Sequence, residues 1–338
     1  YTTIVIAAVV PSALYYLALF IQADAFAART GLRGVSRDML PNLLATVRSG
    51  WHHLVSLVVL VVLLFVASPE RAAYYATAIM LVLGMVATRR VLPLSTLREL
   101  VLDVTGNIAY LVATLCGIGL IVGSLAMTGV GSAFSRELVL YGGNNVFLLL
   151  LLGALTSFIL GMGMTVSACY IFLATVLAPA LVGLGLNPLG AHLFVLYWGM
   201  LSYITPPVAL ASIAAAQIAG AKGMETGFAS MRLGLVLFIL PFMFVYNPGL
   251  LLQGDVLNIV MSVATAVGAT VLLSCAVEGY LYKVGPIAVL ERAALLAGAL
   301  ALMMPNREAE LAGGSILVLL FIVMTVRRRF ARVSPQIR

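Results

Sequence analysis

The longest uncharged stretch of this chain constrains its fold most strongly. Residues 138–221 contain no Asp, Glu, Lys or Arg, and they lie among apolar runs close to the length of a membrane-spanning helix. Backbone polar groups cannot face lipid unpaired, so a helix interrupted inside a membrane persists only where protein or water satisfies them. Two helix-breaking segments interrupt the stretch, and such pairs indicate a transport site near the middle of a membrane. We name them the first break (Gly161-Met162-Gly163-Met164-Thr165) and the second break (Ser202-Tyr203-Ile204-Thr205-Pro206-Pro207).

The composition excludes a soluble globular protein. Hydrophobic residues make up 63% of the chain and charged residues 9%, with a mean hydropathy of +1.14, whereas soluble domains have about 25% charged residues. The runs are also too uniformly apolar for the alternating strands of a membrane barrel. We therefore predict an all-α polytopic membrane protein with about ten transmembrane segments embedded in the lipid bilayer. The net charge of +7 is assigned to loops, so no nucleic acid is expected as a partner.

The basic residues predict the orientation of the helices. If the Arg-rich tail (Arg327 to Arg338) is cytoplasmic, alternate loops place 16 of the 19 basic residues on that side, as the positive-inside rule requires. The remaining three, Arg71, Arg136 and Arg307, fall outside. This count holds only if residues 144–182 leave and return to the same face. They are therefore predicted to form either two short spans or a re-entrant hairpin with the first break at its tip.

The first break offers a site for an anion. Gly161 and Gly163 permit backbone conformations closed to other residues and a close approach to a ligand. Thr165 and Ser167 are placed to cap the helix that follows, whose free N–H groups favour negative charge. The predicted substrate-binding residues are Gly161, Gly163, Met164, Thr165, Ser167, Pro206 and Pro207.

The second break offers oxygen atoms to a cation. Pro206 and Pro207 lack N–H donors, and Pro206 also pushes Thr205 out of the helical region. We expect one helix to end near Tyr203 and the next to begin with Thr205 as its N-cap. The freed carbonyls form a neutral cage with the Thr205 hydroxyl, which suits a hard cation. Ser202, Ile204 and Thr205 are the predicted sodium ligands, mainly through backbone carbonyls.

The absence of acids from this region favours sodium over a proton as the coupling ion. A proton relay in a membrane needs a buried carboxylate or histidine, and His192 is the one histidine within residues 138–221. No cofactor is expected beyond the coupling ion. Two alternatives stay open at this point: a non-transporting scaffold or assembly subunit, and an intramembrane lipid-modifying enzyme. The enzyme would need paired acids, whereas Glu99, Asp103, Glu278 and Glu291 are scattered singly.

Four motifs occur in a characteristic order: Gly161 to Ala168, Leu177-Ala178-Pro179, Gly185-Leu186-Asn187-Pro188, and Ser202 to Val208. Together they resemble the second half of the large membrane subunit of tripartite ATP-independent periplasmic (TRAP) transporters, in the style of the fused TAXI-type permeases. The resemblance implies a bacterial inner-membrane symporter, which takes up an organic anion, usually a carboxylate, with sodium; the basic residues predict a cytoplasmic C-terminus. It also implies an elevator-like movement, a periplasmic substrate-binding protein, and a small membrane subunit or its fused equivalent.

The resemblance also organises the chain into parts. The family's transport domain holds two inverted repeats, of which one is found here, and the chain begins inside an apolar run. We therefore expect a fragment that lacks the N-terminal half of the permease and does not transport alone. The predicted parts are scaffold helices at 1–143 with amphipathic surface helices at 36–50 and 94–105, a transport repeat at 144–219 (hairpin 144–182, interrupted helix 191–219), a final permease helix at 220–250, and extra transmembrane helices with a basic cytoplasmic tail at 251–338.

Overall fold

The computed structural model of this chain is built almost entirely from helices. Within its described residues the only strands are Tyr280–Leu281 (β1) and Gly285–Pro286 (β2), which pair antiparallel. The predicted all-α class is therefore confirmed. The described residues are 2–32, 34, 36, 39–89, 91–130, 133, 136–137, 140–141, 145–162, 165–206, 208–281, 284–304, 308, 311–316 and 318.

The helices follow the apolar runs, with short 3-10 turns after two of them. In chain order they are α1 (Thr2–Thr30), α2 (Leu43–Ser49), α3 (Trp51–Val66), α4 (Pro69–Thr88), α5 (Leu94–Thr128), α6 (Val146–Gly161), α7 (Val166–Val176), α8 (Ala178–Gly183), α9 (Pro188–Met200), the 3-10 turn Leu201–Tyr203, α10 (Leu210–Ala219), α11 (Gly223–Leu233), α12 (Leu235–Tyr246), the 3-10 turn Pro248–Leu251, α13 (Val256–Glu278) and α14 (Val289–Met303).

Several helices are long and apolar enough to cross a membrane. Among the described residues there are five such spans, or six if α2 and α3, which meet at a bend of 72°, count as one. The sequence predicts about ten segments; two further apolar helices among the described residues, α6 and α10, are shorter than a full span. The chain is a multi-pass membrane protein. The five spans are Thr2–Thr30, Arg71–Thr88, Val166–Gly183, Gly223–Tyr246 and Val256–Glu278.

The chain divides into two compact units. One comprises Tyr1–Ile6 and Arg33–Cys116, and its helices α3 and α4 pack against each other. The other comprises Ala7–Leu32 and Gly117–Arg338, and both breaks lie in it. The second unit therefore combines most of α1, which the sequence assigns to the scaffold, with the predicted transport repeat.

Helix α9 is the centre of the second unit. It packs against α6, α7, α8 and α12, and Phe194 on it is fully buried. The Trp198 ring makes edge contacts with Phe158, Phe238 and Phe242 at centroid distances of 6.5, 5.7 and 5.8 Å. These aromatic contacts hold α9 firmly against its neighbours, so the chain that leaves α9 at the second break starts from a fixed position.

Polar side chains fix where helices begin in this unit. Asn145, Thr165, Asn187 and Asp255 each accept a hydrogen bond from an N–H group in the first turn of the following helix. Each cap satisfies a donor that the helix itself leaves free. The caps therefore explain why α6, α7, α9 and α13 start at these positions inside apolar sequence.

Contacts at the two ends of α13 agree with the predicted grouping of loops. At one end, the Glu278 carboxylate lies 3.5 Å from Arg29 and 3.4 Å from Arg232. At the other, Asn187 Nδ2 donates to Gln253 Oε1 at 2.8 Å. The helix between them is about 35 Å long. The C-terminal ends of α1, α11 and α13, which the basic residues predict to lie on one side of the membrane, thus meet one another. That this side is cytoplasmic stays a prediction.

Several element boundaries differ from the sequence-based expectation. The helix expected at 36–50 begins only at Leu43, because the Asn42 side chain accepts from Leu44 N at 3.0 Å and fixes the start there. The surface helix expected at 94–105 is the first part of the 35-residue helix α5, which continues through Gly106 into the apolar run that follows. The final helix expected at 220–250 is divided at Gly234 into α11 and α12.

Candidate functional site

The first break separates two helices of a hairpin. Helix α6 ends at Gly161, and α7 begins after Thr165, whose Oγ1 accepts from Ala168 N at 3.3 Å. Thr165 is therefore the N-cap of α7, and Ser167 is exposed on the first turn. Gly163 and Met164, two of the predicted substrate-binding residues, lie outside the described residues.

The end of α6 touches α9 through glycine. A Cβ atom added at Gly161 would lie only 2.5 Å from the Gly199 carbonyl oxygen. Gly199 in turn faces the other arm of the hairpin, because a Cβ added there would lie 3.2 Å from Cys169 Sγ. The two glycines thus let α6 meet α9 backbone to backbone and leave room for the Cys169 side chain between α9 and α7. Since Gly199 is three residues before Ser202, this contact brings the first break beside the second.

The second break is a compact loop and not a simple kink. After α9 the chain forms one 3-10 turn at Leu201–Tyr203, and α10 begins only at Leu210. The Ala209 N–H donates to the carbonyls of Ser202 and Thr205 at 3.1 and 3.0 Å, and closes the loop. The expected restart of the helix at Thr205 is therefore wrong. The helix resumes four residues later, with Ala209 as its N-cap; Pro207 itself is not among the described residues.

The oxygen atoms of the second break are engaged to different degrees. The Ser202 carbonyl accepts from Ala209 N and, at 3.4 Å, from Thr205 N. The Ile204 carbonyl accepts only from Ser212 Oγ, at 3.5 Å, among the described residues. The buried Thr205 hydroxyl donates to the Leu201 carbonyl at 2.8 Å and keeps its lone pairs as acceptors. Ile204 and Thr205 thus present oxygen atoms with capacity for a further partner, while Ser202 would have to release one N–H.

A strained residue closes the second break. Ala209 has φ 38 and ψ 41, in the left-handed region, and its side chain is fully buried. A non-glycine residue in this conformation costs of order 1–3 kcal/mol and persists only where its surroundings enforce it. The two hydrogen bonds from its N–H group supply that enforcement. Nothing in the sequence signals this conformation, because alanine favours the helix.

Helices α11 and α12 cover the second break closely. A Cβ atom added at Gly227 would lie 2.8 Å from Pro206 Cγ, and one added at Gly234 would lie 2.7 Å from Ile204 Cδ1. The Gly227 position therefore has space for glycine alone unless the loop moves, whereas a side chain at Gly234 would make the Ile204 side chain turn away. Residue spacing does not indicate this cover, because it depends on how the chain folds back over the second break.

An apolar groove of about 410 Å³ lies on another side of the second break. Its walls include Leu201, Tyr203 and Ile204 from the break, and Ser12 and Tyr15 from α1. The Tyr15 ring makes an edge contact with Tyr197 at 5.5 Å. Residues of α1 therefore border the site, although the sequence assigns them to the scaffold. No spacing within α1 indicates this role, since the contact depends on tertiary packing.

Comparison with known proteins identifies the family. A family model described as "Tripartite ATP-independent periplasmic transporter, DctM component" matches residues 1–259, which include both breaks. No curated protein and no solved structure gave a match. The resemblance drawn from the four motifs is confirmed at the level of this family. The chain belongs to the DctM family, the large permease component of tripartite ATP-independent periplasmic transporters.

Proposed function

We propose that this chain carries the second of two repeats in a sodium-coupled permease for organic anions, of the TAXI type. Its family consists of transporter components and not of enzymes, and it implies partner subunits such as a periplasmic binding protein and a small membrane subunit.

One observation carries the proposal: the two breaks adjoin each other in a region without charged side chains. Gly161 at the first break contacts Gly199, one turn before the second, and residues 138–221 contain no Asp, Glu, Lys or Arg. Ligand charges placed here would be balanced by backbone dipoles and hydroxyl groups. In a low-dielectric surrounding such fixed dipoles interact strongly with an ion.

The two breaks suit ions of opposite charge. The N-terminus of α7, capped by Thr165, directs N–H groups toward the first break, which favours the carboxylate of a solute. The Ile204 carbonyl and the Thr205 hydroxyl, with Ser202 after release of one N–H, offer neutral oxygen ligands to sodium. Bound together, solute and cation neutralise each other's charge. This mutual dependence would couple uptake to the sodium gradient.

The remaining parts of the proposal follow the family. The permease lies in the bacterial inner membrane with its C-terminus in the cytoplasm, and the periplasmic binding protein delivers the solute and sets its selectivity. The unit with both breaks moves as an elevator against a scaffold, together with an upstream repeat from the N-terminal half. The compact packing of α6, α7 and α9 supports this movement, because tightly packed helices travel as one body.

Two substitutions test the site. In the intact permease, reconstituted into proteoliposomes with its binding protein, Thr205→Ala and Gly163→Leu are expected to abolish sodium-driven uptake without loss of membrane insertion. Thr205→Ala removes a hydroxyl at the proposed cation position, and Gly163→Leu adds a large side chain to the sequence that is predicted to form the tip of the hairpin. The matched control is Thr175→Ala, because Thr175 makes the same kind of bond to a helix carbonyl, at 2.7 Å, on an exposed face. Normal uptake by both site variants would remove the assignment.

A further inference from the structure

A fully buried carboxylate lies at the end of α13. Glu278 has no exposed surface, and its oxygen atoms lie 3.5 Å from Arg29 Nη2 and 3.4 Å from Arg232 Nε. Both guanidinium groups also lie over the Phe26 ring, at 5.7 and 5.5 Å from its centre. Glu278 therefore joins three helices that are distant in sequence: α1, α11 and α13.

Glu278 lies outside the region that defines the family. The family match ends at residue 259, whereas Arg29 and Arg232 lie within it. The carboxylate comes from one of the extra C-terminal helices, and its partners come from the permease proper. Charged residues in membrane helices are rare and usually pair with one another, and this pairing ties the helix beyond the family match to the permease proper.

A short chain of contacts connects Glu278 to the second break. Arg232 is followed by Leu233, whose carbonyl accepts a 2.8 Å hydrogen bond from buried Gln22 on α1. The next residue is Gly234, where an added Cβ atom would lie 2.7 Å from Ile204. The junction of α11 and α12 is thus held by Glu278 and Gln22 on one side and contacts the second break on the other.

We propose that Glu278 is a positioning residue for the second break: through Arg232 it holds the junction of α11 and α12 against Ile204. The inference rests on the proposed function for its consequence in transport, though its geometry stands without it. A closely packed junction cannot shift without moving the chain that it covers. Glu278 therefore acts on Ile204, whose carbonyl is a proposed sodium ligand, through packing on the Ile204 side chain, and from a helix that extends beyond the family match.

The variant Glu278→Gln, which removes the charge of the carboxylate, tests whether Glu278 positions the second break. In Glu278→Gln, Arg232 loses its buried anion, and its side chain, already 40% exposed, turns toward the membrane surface. The junction keeps the Gln22 hydrogen bond but loses its ion pair, and the second break opens more often. Hydrogen exchange in the intact permease reports this opening directly, since backbone amides exchange when local structure opens.

We expect Glu278→Gln to accelerate exchange of residues 201–210 about tenfold and to leave α6 unchanged. Glu278→Asp, which keeps the charge, should restore slow exchange. The control is Glu225→Gln on the same helix α11, since Glu225 pairs with Lys222 at 2.9 Å on an exposed surface. Faster exchange confined to residues 276–292, equal acceleration throughout, or no acceleration would each overturn the proposal. If Glu278→Gln does not fold, Arg232→Gln serves with the same outcomes.

Uptake measurements complete the test, and they distinguish a failure of the proposed sodium coupling from a failure of the proposed role of Glu278. With a binding protein present, Glu278→Gln should raise the sodium concentration for half-maximal uptake several-fold, with a smaller change in maximal rate, and Glu278→Asp should reverse the shift. If uptake by the parent protein does not depend on sodium, the proposed coupling fails. The exchange result still decides whether Glu278 positions the second break, because it does not require transport.

Discussion

Gly161→Ala is expected to destabilise the permease by about 3 kcal/mol and to abolish uptake. The added methyl group would lie 2.5 Å from the Gly199 carbonyl oxygen, and neither backbone can yield as a flexible side chain would. Helices α6 and α9 must therefore separate, and the first break moves away from the second. Thermal unfolding in detergent and uptake in proteoliposomes measure the two effects.

The control for Gly161 lies in the same region of the fold. Gly183 is the last residue of α8, and a Cβ atom added there meets nothing within 4 Å. Gly183→Ala should thus leave uptake intact and stability unchanged or slightly raised, because alanine favours a helix over glycine. Equal behaviour of the two variants would show that the close approach of α6 to α9 does not exist.

Removing both arginine partners of Glu278 is expected to have the second large effect. In Arg29→Gln with Arg232→Gln, the buried carboxylate loses both ion pairs, and stranding a buried charge costs about 3–5 kcal/mol. We expect the lower end of that range, because the arginines are themselves partly hydrated and Arg292 lies nearby, where it donates to the carbonyls of Ala276 and Val277. The midpoint of thermal unfolding measures the loss.

Adding Glu278→Gln to this double variant tests whether the stranded carboxylate causes the loss of stability. The triple variant carries no buried charge, so it should regain most of the lost stability, whereas hydrogen exchange at the second break should remain fast. Lys222→Gln is the control, since it breaks an exposed ion pair and should change stability little. If the triple variant is no more stable than the double variant, the stranded carboxylate is not the cause of the loss.

The sequence predicts the helix breaks well because their causes are local. Prolines remove donors and the following helix needs a cap, so the positions of Thr165 and Pro206 could be interpreted without a structure. The membrane class follows from composition for the same reason. Where the second helix resumes could not be predicted, since the left-handed conformation of Ala209 depends on acceptors from Ser202 and Thr205.

The features of the site that the sequence does not predict depend on packing between residues that are distant in the chain. In the sequence Glu278 is one of several scattered acids, and its role depends on arginines more than 40 residues away along the chain. The cover supplied by Gly227 and Gly234 likewise depends on the return of α11 over the second break. These contacts leave no periodic pattern, so residue spacing within one segment cannot predict them.

A density map of the intact permease, with sodium and its solute bound, tests the central claim most directly. The account predicts solute density between the N-terminus of α7 and the second break, with a cation beside the oxygen atoms of Ile204 and Thr205. Both breaks should stay irregular and enclosed by protein. A map that shows either break as a continuous helix facing lipid, or the solute held elsewhere by charged side chains, would contradict the account.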